Sequence, residues 1–301
     1  MFRLAHVTDP HFRGARGGEG VRAGDLFGKR AVGYVNLVVN RVRKHKMELL
    51  EDMRLDLRAQ APDHLAVTGD LSNIAVTSEW RSALAWLDLS GVAPDAISVI
   101  PGNHDAYVPE VLATREFERL FAPYQTSDLD RDGESAYYPF VQIREPLALI
   151  GVSSAVATGD LGAWGEIGKA QLARLEAILK APELAALTRV VLVHHPPVVH
   201  KEGENRNLRD RDAFAQVIAR AGADLVLHGH DHEDQHAELP GPDGRAIPVI
   251  GAGSASYTGG PERRARYSVY EFEGRSITWV SRVHDEETSF FREARRETLA
   301  R

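Results

Sequence analysis

Cysteine is absent from the 301 residues, which excludes a disulfide framework and any thiolate metal site and fits a reducing compartment. No apolar run approaches the roughly 20 residues that a bilayer-crossing helix needs. A Ser/Gly/Pro-rich linker is missing, as is any internal repeat, so nothing divides the chain. We therefore expect one domain over residues 1–301, and the 43% hydrophobic content is enough for a substantial core. Aromatic residues are few, at 7%, and are not interleaved with basic ones, so a nucleic-acid stacking surface is not expected. No secretory signal peptide precedes Asp9, and we expect a cytoplasmic protein.

What the chain does have is a set of short polar clusters, each placed where an apolar run ends: Asp9-Pro10-His11, Gly69-Asp70, Gly102-Asn103-His104-Asp105, His194-His195-Pro196 and Gly229-His230-Asp231-His232. The preceding runs, such as His64-Leu65-Ala66-Val67-Thr68 and Arg189-Val190-Val191-Leu192-Val193, are short and rich in β-branched residues, the pattern of buried strands. The clusters then fall at strand C-terminal ends, the edge where open α/β sheets bind ligands. Within Asp9-Pro10-His11 and His230-Asp231-His232 the i, i+2 spacing puts two donors on one side of an extended segment, so each pair can chelate.

Oxygen and imidazole donors on so many segments exceed the needs of one ion but suit two divalent ions sharing a carboxylate. Asp9 and Asp70 would leave the pair of ions with room for one hydroxide and one phosphodiester anion near neutrality. Metal binding lowers the pKa of water from about 15.7 toward about 7, so a hydroxide bridging the ions would serve as the nucleophile without a separate base. The expected chemistry is hydrolysis at phosphorus.

The ordered set Asp-x-His, Gly-Asp, Gly-Asn-His-Asp, His, Gly-His-x-His resembles the calcineurin-like metallophosphoesterase superfamily over residues 9–232. The residues flanking the motifs, Gly69-Asp70-Leu71-Ser72, His194-His195-Pro196-Pro197 and Leu225-Val226-Leu227-His228-Gly229-His230, look most like the bacterial branch of cyclic-nucleotide and glycerophosphodiester phosphodiesterases. The resemblance implies an α/β fold of two stacked mixed β-sheets flanked by helices, a four-layer αββα sandwich. It implies that Asp9, His11 and His232 hold one metal ion and Asn103, His194 and His230 the other, with Asp70 between them; the ions would be Mn, Fe, Zn or Co. His194 rather than His195 is the ligand because it occupies the first position of the family's His-x-Pro arrangement. His104 resembles the residue that contacts substrate or protonates the leaving group, with Asp105 orienting it. In purple acid phosphatases a Tyr lies three residues after the shared Asp; here Asn73 stands there, so an iron-tyrosinate centre is not expected.

Sixty residues separate Asp9 from Asp70, more than one crossover needs, so an extra loop or helical segment is expected at about 12–60. Between Phe12 and Lys46 nine Lys or Arg residues (Arg13, Arg16, Arg22, Lys29, Arg30, Arg41, Arg43, Lys44, Lys46) face only Glu19 and Asp25, a local charge of +7 in a chain of net −7. Apolar residues from Arg30 to Ala59 recur at near-helical spacing, after a glycine-rich loop. The insertion can be a solvated basic helix, a cationic cap over an anionic phosphoester substrate, or a patch touching an anionic membrane.

Further along, Leu112–Phe121, Lys169–Leu187 and Asp212–Ala221 read as helices, and the segments around Ile247–Ile250, Arg266–Phe272 and Ser276–Val280 read as strands completing a second sheet. His195, Asn207 and Arg209 lie between or beside the clusters and are candidate substrate contacts. His228 adjoins the site, whereas His6, His45, His64, His200, His236 and His284 carry no argument beyond packing or solvation. The function expected is a dinuclear metal-dependent phosphodiesterase. The alternatives are a pyrophosphohydrolase or phosphomonoesterase on a nucleotide or lipid-linked substrate, and a non-catalytic metal-binding scaffold like the retromer subunit that shares the fold.

Overall fold

The computed structural model describes residues 1–14, 29–36, 39, 42–129, 137–159, 162–199 and 205–299. Among these, the strands in chain order are β1 (Phe2–Val7), β2 (His64–Thr68), β3 (Ile97–Ile100), β4 (Phe140–Arg144), β5 (Leu147–Gly151), β6 (Thr188–Leu192), β7 (Leu225–His228), β8 (Gln235–Pro240), β9 (Ala246–Gly251), β10 (Arg266–Glu273), β11 (Ser276–Asp285) and β12 (Phe290–Leu299). The helices are α1 (Lys29–Asn36), the single turn α2 (Val42–Lys44), α3 (Met47–Gln60), α4 (Thr77–Asp88), α5 (Pro109–Thr114), α6 (Glu116–Leu120), α7 (Lys169–Leu179) and α8 (Arg211–Ala221).

The strands form two six-stranded mixed sheets, ordered β12-β11-β10-β1-β2-β3 and β4-β5-β6-β7-β9-β8. In the first, β1, β2 and β3 run parallel; in the second, β5, β6, β7 and β9 do. Strands such as β2 and β5 are buried along their whole length, as expected where both faces of a parallel strand are covered. Leu4, Ala66, Phe140, Leu192, Leu227 and Trp279 fill the layer between the sheets. Leu50, Met53, Trp80 and Leu87 from α3 and α4 cover the outer face of the first sheet. Leu175, Leu179, Phe214 and Ile218 from α7 and α8 cover that of the second. The result is the four-layer αββα arrangement.

Several sequence expectations change. Of the three C-terminal segments read as strands of the second sheet, only β9 lies in it: β10 pairs antiparallel with β1, and β11 and β12 extend that first sheet. Pairing of this kind is decided by which edge is left uncovered across more than 200 residues of chain, which local alternation does not encode. β12, Phe-Phe-Arg-Glu-Ala-Arg-Arg-Glu-Thr-Leu, gives little apolar signal because it is an edge strand with mostly exposed charged side chains. The helix expected over 30–59 is broken, since His45 forms an isolated β-bridge with Tyr257 between α2 and α3. The Leu112–Phe121 helix splits at Arg115, whose φ of 50° is left-handed. The Lys169–Leu187 helix stops at Leu179, because Pro182 cannot continue it.

Candidate metal centre

The loops after β1, β2 and β3 and those after β6 and β7 meet at one edge of the sandwich. Backbone bonds lace the first two together: Asp9 N–H donates to Gly69 O and His11 N–H to Asp70 O, both at 3.0 Å. Asp9, His11, Asp70, His230 and His232 all have φ between 48° and 75°. Left-handed backbone is uncommon for residues with a Cβ, and strain of this kind is typical of functional sites held in shape by their surroundings. Two glycines make the approach possible. A Cβ at Gly102 would meet the Asp70 carboxylate, and one at Gly229 would meet Thr8 Oγ1 and Asp9 Oδ2.

All seven sequence-selected donors come together, and they divide into two sets around Asp70. On one side, His232 Nε2 lies 3.1 Å from Asp9 Oδ1 and 3.3 Å from His11 Nε2, and His11 Nε2 is 3.9 Å from both Asp9 Oδ1 and Asp70 Oδ2. On the other, Asn103 Oδ1 lies 3.2 Å from His194 Nε2 and 3.0 Å from His230 Nδ1, and His194 Nε2 is 3.5 Å from Asp70 Oδ1. Separations of this size fit donors placed about 2.0–2.2 Å from a shared ion. Six of the seven residues are buried, and His232 is partly exposed.

The hydrogen bonds explain why a cation belongs there. His11 Nδ1 lies 3.1 Å from Ser72 O and His194 Nδ1 2.7 Å from Thr68 O. A carbonyl can only accept, so Nδ1 carries the proton in each ring and the neutral imidazole turns a lone pair on Nε2 toward the other acceptors. Lone pairs of His11, His194, Asp9, Asp70 and Asn103 thus converge, a repulsive arrangement that a positive ion reverses. Electrostatics agree. Burial opposes ionisation of Asp9, but His232, His194 and the Thr8 hydroxyl outweigh it and hold the carboxyl far below the usual range. Burial likewise opposes charge on His194, yet Asp70 and Asp9 push its pKa up to about 9. The same negative field would hold a metal cation once that proton is released.

His104 stands at the rim, partly exposed. Its backbone N–H donates to Asp70 Oδ1 at 2.7 Å, and its Nδ1 lies 2.6 Å from Asn73 O. The ring meets His11 edge-on at 5.1 Å between centroids and stacks on Tyr107 at 5.3 Å. The expected role of Asp105 needs correction. Its carboxylate accepts from Leu71 N–H, Ser72 N–H, the Ser72 hydroxyl, Gly102 N–H and Trp80 Nε1–H, so it ties the Asp70 loop to the Asn103 loop. The His104 ring is oriented instead by the Asn73 carbonyl. Asn73 in turn donates to His11 O and Phe12 O.

The suggested substrate contacts lie differently. His195 is buried, with Nδ1 2.8 Å from Ser154 Oγ and Nε2 3.1 Å from Ala163 O, and its ring packs 4.6 Å from that of His230. The Arg209 guanidinium sits 3.4 Å over the Trp164 ring, and Asn207 O accepts from Gly165 N–H. Arg206, not singled out from the sequence, reaches within 3.4 Å of Asp231 beside His230.

The insertion is fastened to the body. Lys29 Nζ donates to Thr158 O, Thr158 Oγ1 and Gly162 O and lies 4.5 Å from the Tyr107 ring centroid. Arg30 donates to Ile74 O and Ala75 O. Arg16, Arg22 and Arg41 lie outside the described residues, and Arg43, Lys44 and Lys46 are exposed. His45, given no role from the sequence, is buried against His11 and His232. Nothing local marks it, because its position depends on the bridge to Tyr257.

The model of the calcineurin-like phosphoesterase family matches residues 2–234. The chain belongs to this family. A dimetal phosphatase from Danio rerio has the same fold, with TM-score 0.64 and 15% identity over 99% of this chain and 98% of that one. So does a purple acid phosphatase from yellow lupin (Lupinus luteus) seeds, with TM-score 0.64 and 12% identity over 100% of this chain and 54% of that one. No curated protein sequence matches. Family members use a dinuclear metal centre, and the His/Asp groups here can hold metal ions, which supports a metal-dependent phosphoester hydrolase.

Proposed function

We propose that this family member is a phosphodiesterase acting on an anionic phosphoester. The observation that carries the reading is the position of His104, anchored to Asp70 through its backbone and presenting its ring edge-on to His11. Two divalent ions, when bound, polarise phosphoryl oxygens and lower the pKa of water from about 15.7 toward about 7.

The chain's own residues supply the rest. With His104 Nδ1–H committed to Asn73 O, the proton passed to a departing alkoxide is carried at Nε2. Stacking on Tyr107 and the edge contact with His11 hold the ring plane. Asp9 and Asp70 cancel half the charge of two divalent ions, and the remainder equals one hydroxide plus one singly charged diester. Arg206 lies on the His230 side and can meet a further anionic group of the substrate; Arg209 is committed to Trp164.

The test is hydrolysis by Mn-, Zn- or Co-loaded protein of bis(p-nitrophenyl) phosphate, p-nitrophenyl phosphate, cyclic nucleotides, and nucleotide and lipid pyrophosphates. The diester should give the largest kcat/KM. Preference for the monoester or for pyrophosphates would replace this reading with those activities, and inactivity of fully loaded protein on all of them would favour a scaffold.

A further inference from the structure

We infer that His45 is an additional donor to the ion held by Asp9, His11 and His232, delivered into the centre by the basic insertion; the inference rests on the two-ion reading above. His45 is only 4% exposed. It offers a ring nitrogen within 4.8 Å of the ligand nitrogens of His11 and His232, and its ring centroid lies 4.6 Å from that of His11 and 5.5 Å from that of His232. Asp9, His11, His232 and Asp70 supply four donors and a hydroxide would supply a fifth, which leaves a sixth position on a divalent ion that accepts octahedral coordination.

The backbone holds His45 in register with those donors. Lys46 N–H donates to Ser256 O at 3.0 Å and Thr258 N–H to Lys44 O at 2.7 Å, closing the bridge between His45 and Tyr257. The same loop anchors the first ligand: Ala255 N–H donates to Thr8 O at 2.9 Å, and Ser254 Oγ to Asp9 O at 2.7 Å. Ser256 Oγ lies 2.8 Å from His45 Nδ1, the kind of outer partner that fixes the ring of a ligating histidine. Tyr257 packs on both His45 and His232, at 5.1 and 5.7 Å between centroids. A segment that merely covered the sheet would have no need to bury an imidazole among these groups.

The full chain, labelled with 15N at histidine and titrated with Zn2+, tests this through the ring nitrogen shifts of the bound imidazoles. Beyond His11, His194, His230 and His232, a fifth ring should acquire a metal-bound nitrogen, and His45→Gln should remove that ring's signal alone. Should His45→Gln fail to fold, nuclear Overhauser contacts from the fifth ring to Tyr257 make the assignment, because His195 packs on the opposite side against His194 and His230. Four shifted rings with two zinc ions bound would overturn the role of His45 and leave the two-ion reading intact, as would a fifth ring that persists in His45→Gln. No shifted ring would overturn both.

Discussion

Asp70 and His104 are joined by a 2.7 Å hydrogen bond from the His104 backbone to Asp70 Oδ1. The carboxylate placed between the two donor sets therefore also fixes the backbone of His104, the imidazole proposed above to protonate the leaving group. Replacing the His104 side chain leaves that backbone bond in place. His104→Ala should accordingly keep both ions while lowering diester turnover by on the order of 10²–10⁴. The loss should shrink for a nitrophenolate leaving group, which needs little protonation. Metal analysis beside kinetics checks this, and loss of metal would remove His104 from a substrate-facing role.

Metal content of saturated protein should approach two ions per chain, with the ions about 3.5–4 Å apart. Asp70→Ala removes a donor from both sets and should weaken both sites. A single ion in the parent protein would contradict the division of donors described above.

Gly229→Ala should damage the centre without replacing a donor residue. Its Cβ would press on Thr8 Oγ1 and Asp9 Oδ2, and Asp9 Oδ2 also accepts from His230 N–H at 2.9 Å. Overpacking of this kind costs about 1–3 kcal/mol of stability, and disturbed support around ligands lowers metal affinity by roughly 10–100-fold. Thermal melts and metal titrations should show both effects together.

Stability should carry a pH signature from Glu79. Burial raises its pKa from 4.5 to about 7, against the backbone N–H groups of Ile74, Asn73 and Val76 that favour the carboxylate. A raised folded pKa means that its contribution is fully present below about pH 4.5 and lost as pH rises through about 7. The shift corresponds to about 3 kcal/mol. Urea unfolding of EDTA-treated protein should show Glu79→Gln becoming more stable relative to the parent as pH rises from 5 to 8; a constant difference would contradict it.

The exposed cations Arg43, Lys44 and Lys46 test the cap reading of the insertion. Changing all three to Gln should raise KM for an anionic diester with metal content unchanged. If vesicle sedimentation instead shows that the parent binds anionic lipid and the variant does not, the membrane reading takes its place.

The seven donors are legible in the sequence because each follows a short buried strand, and strand ends and turn glycines leave local patterns. So does the alternation of strand and helix that builds two helix-covered sheets. The tertiary structure alone decided which sheet the C-terminal strands extend, since that depends on β1 pairing with β10 far along the chain. It also decided that Asp105 ties two loops together, because its donors come from residues 71, 72, 80 and 102. His45 is the sharpest case. In sequence it is one more residue in a basic stretch, and only the bridge to Tyr257 carries its ring to His11 and His232. Local pattern records what a residue's neighbours in the chain require; contacts across more than 200 residues follow from which surfaces remain to be covered once the sheets have formed.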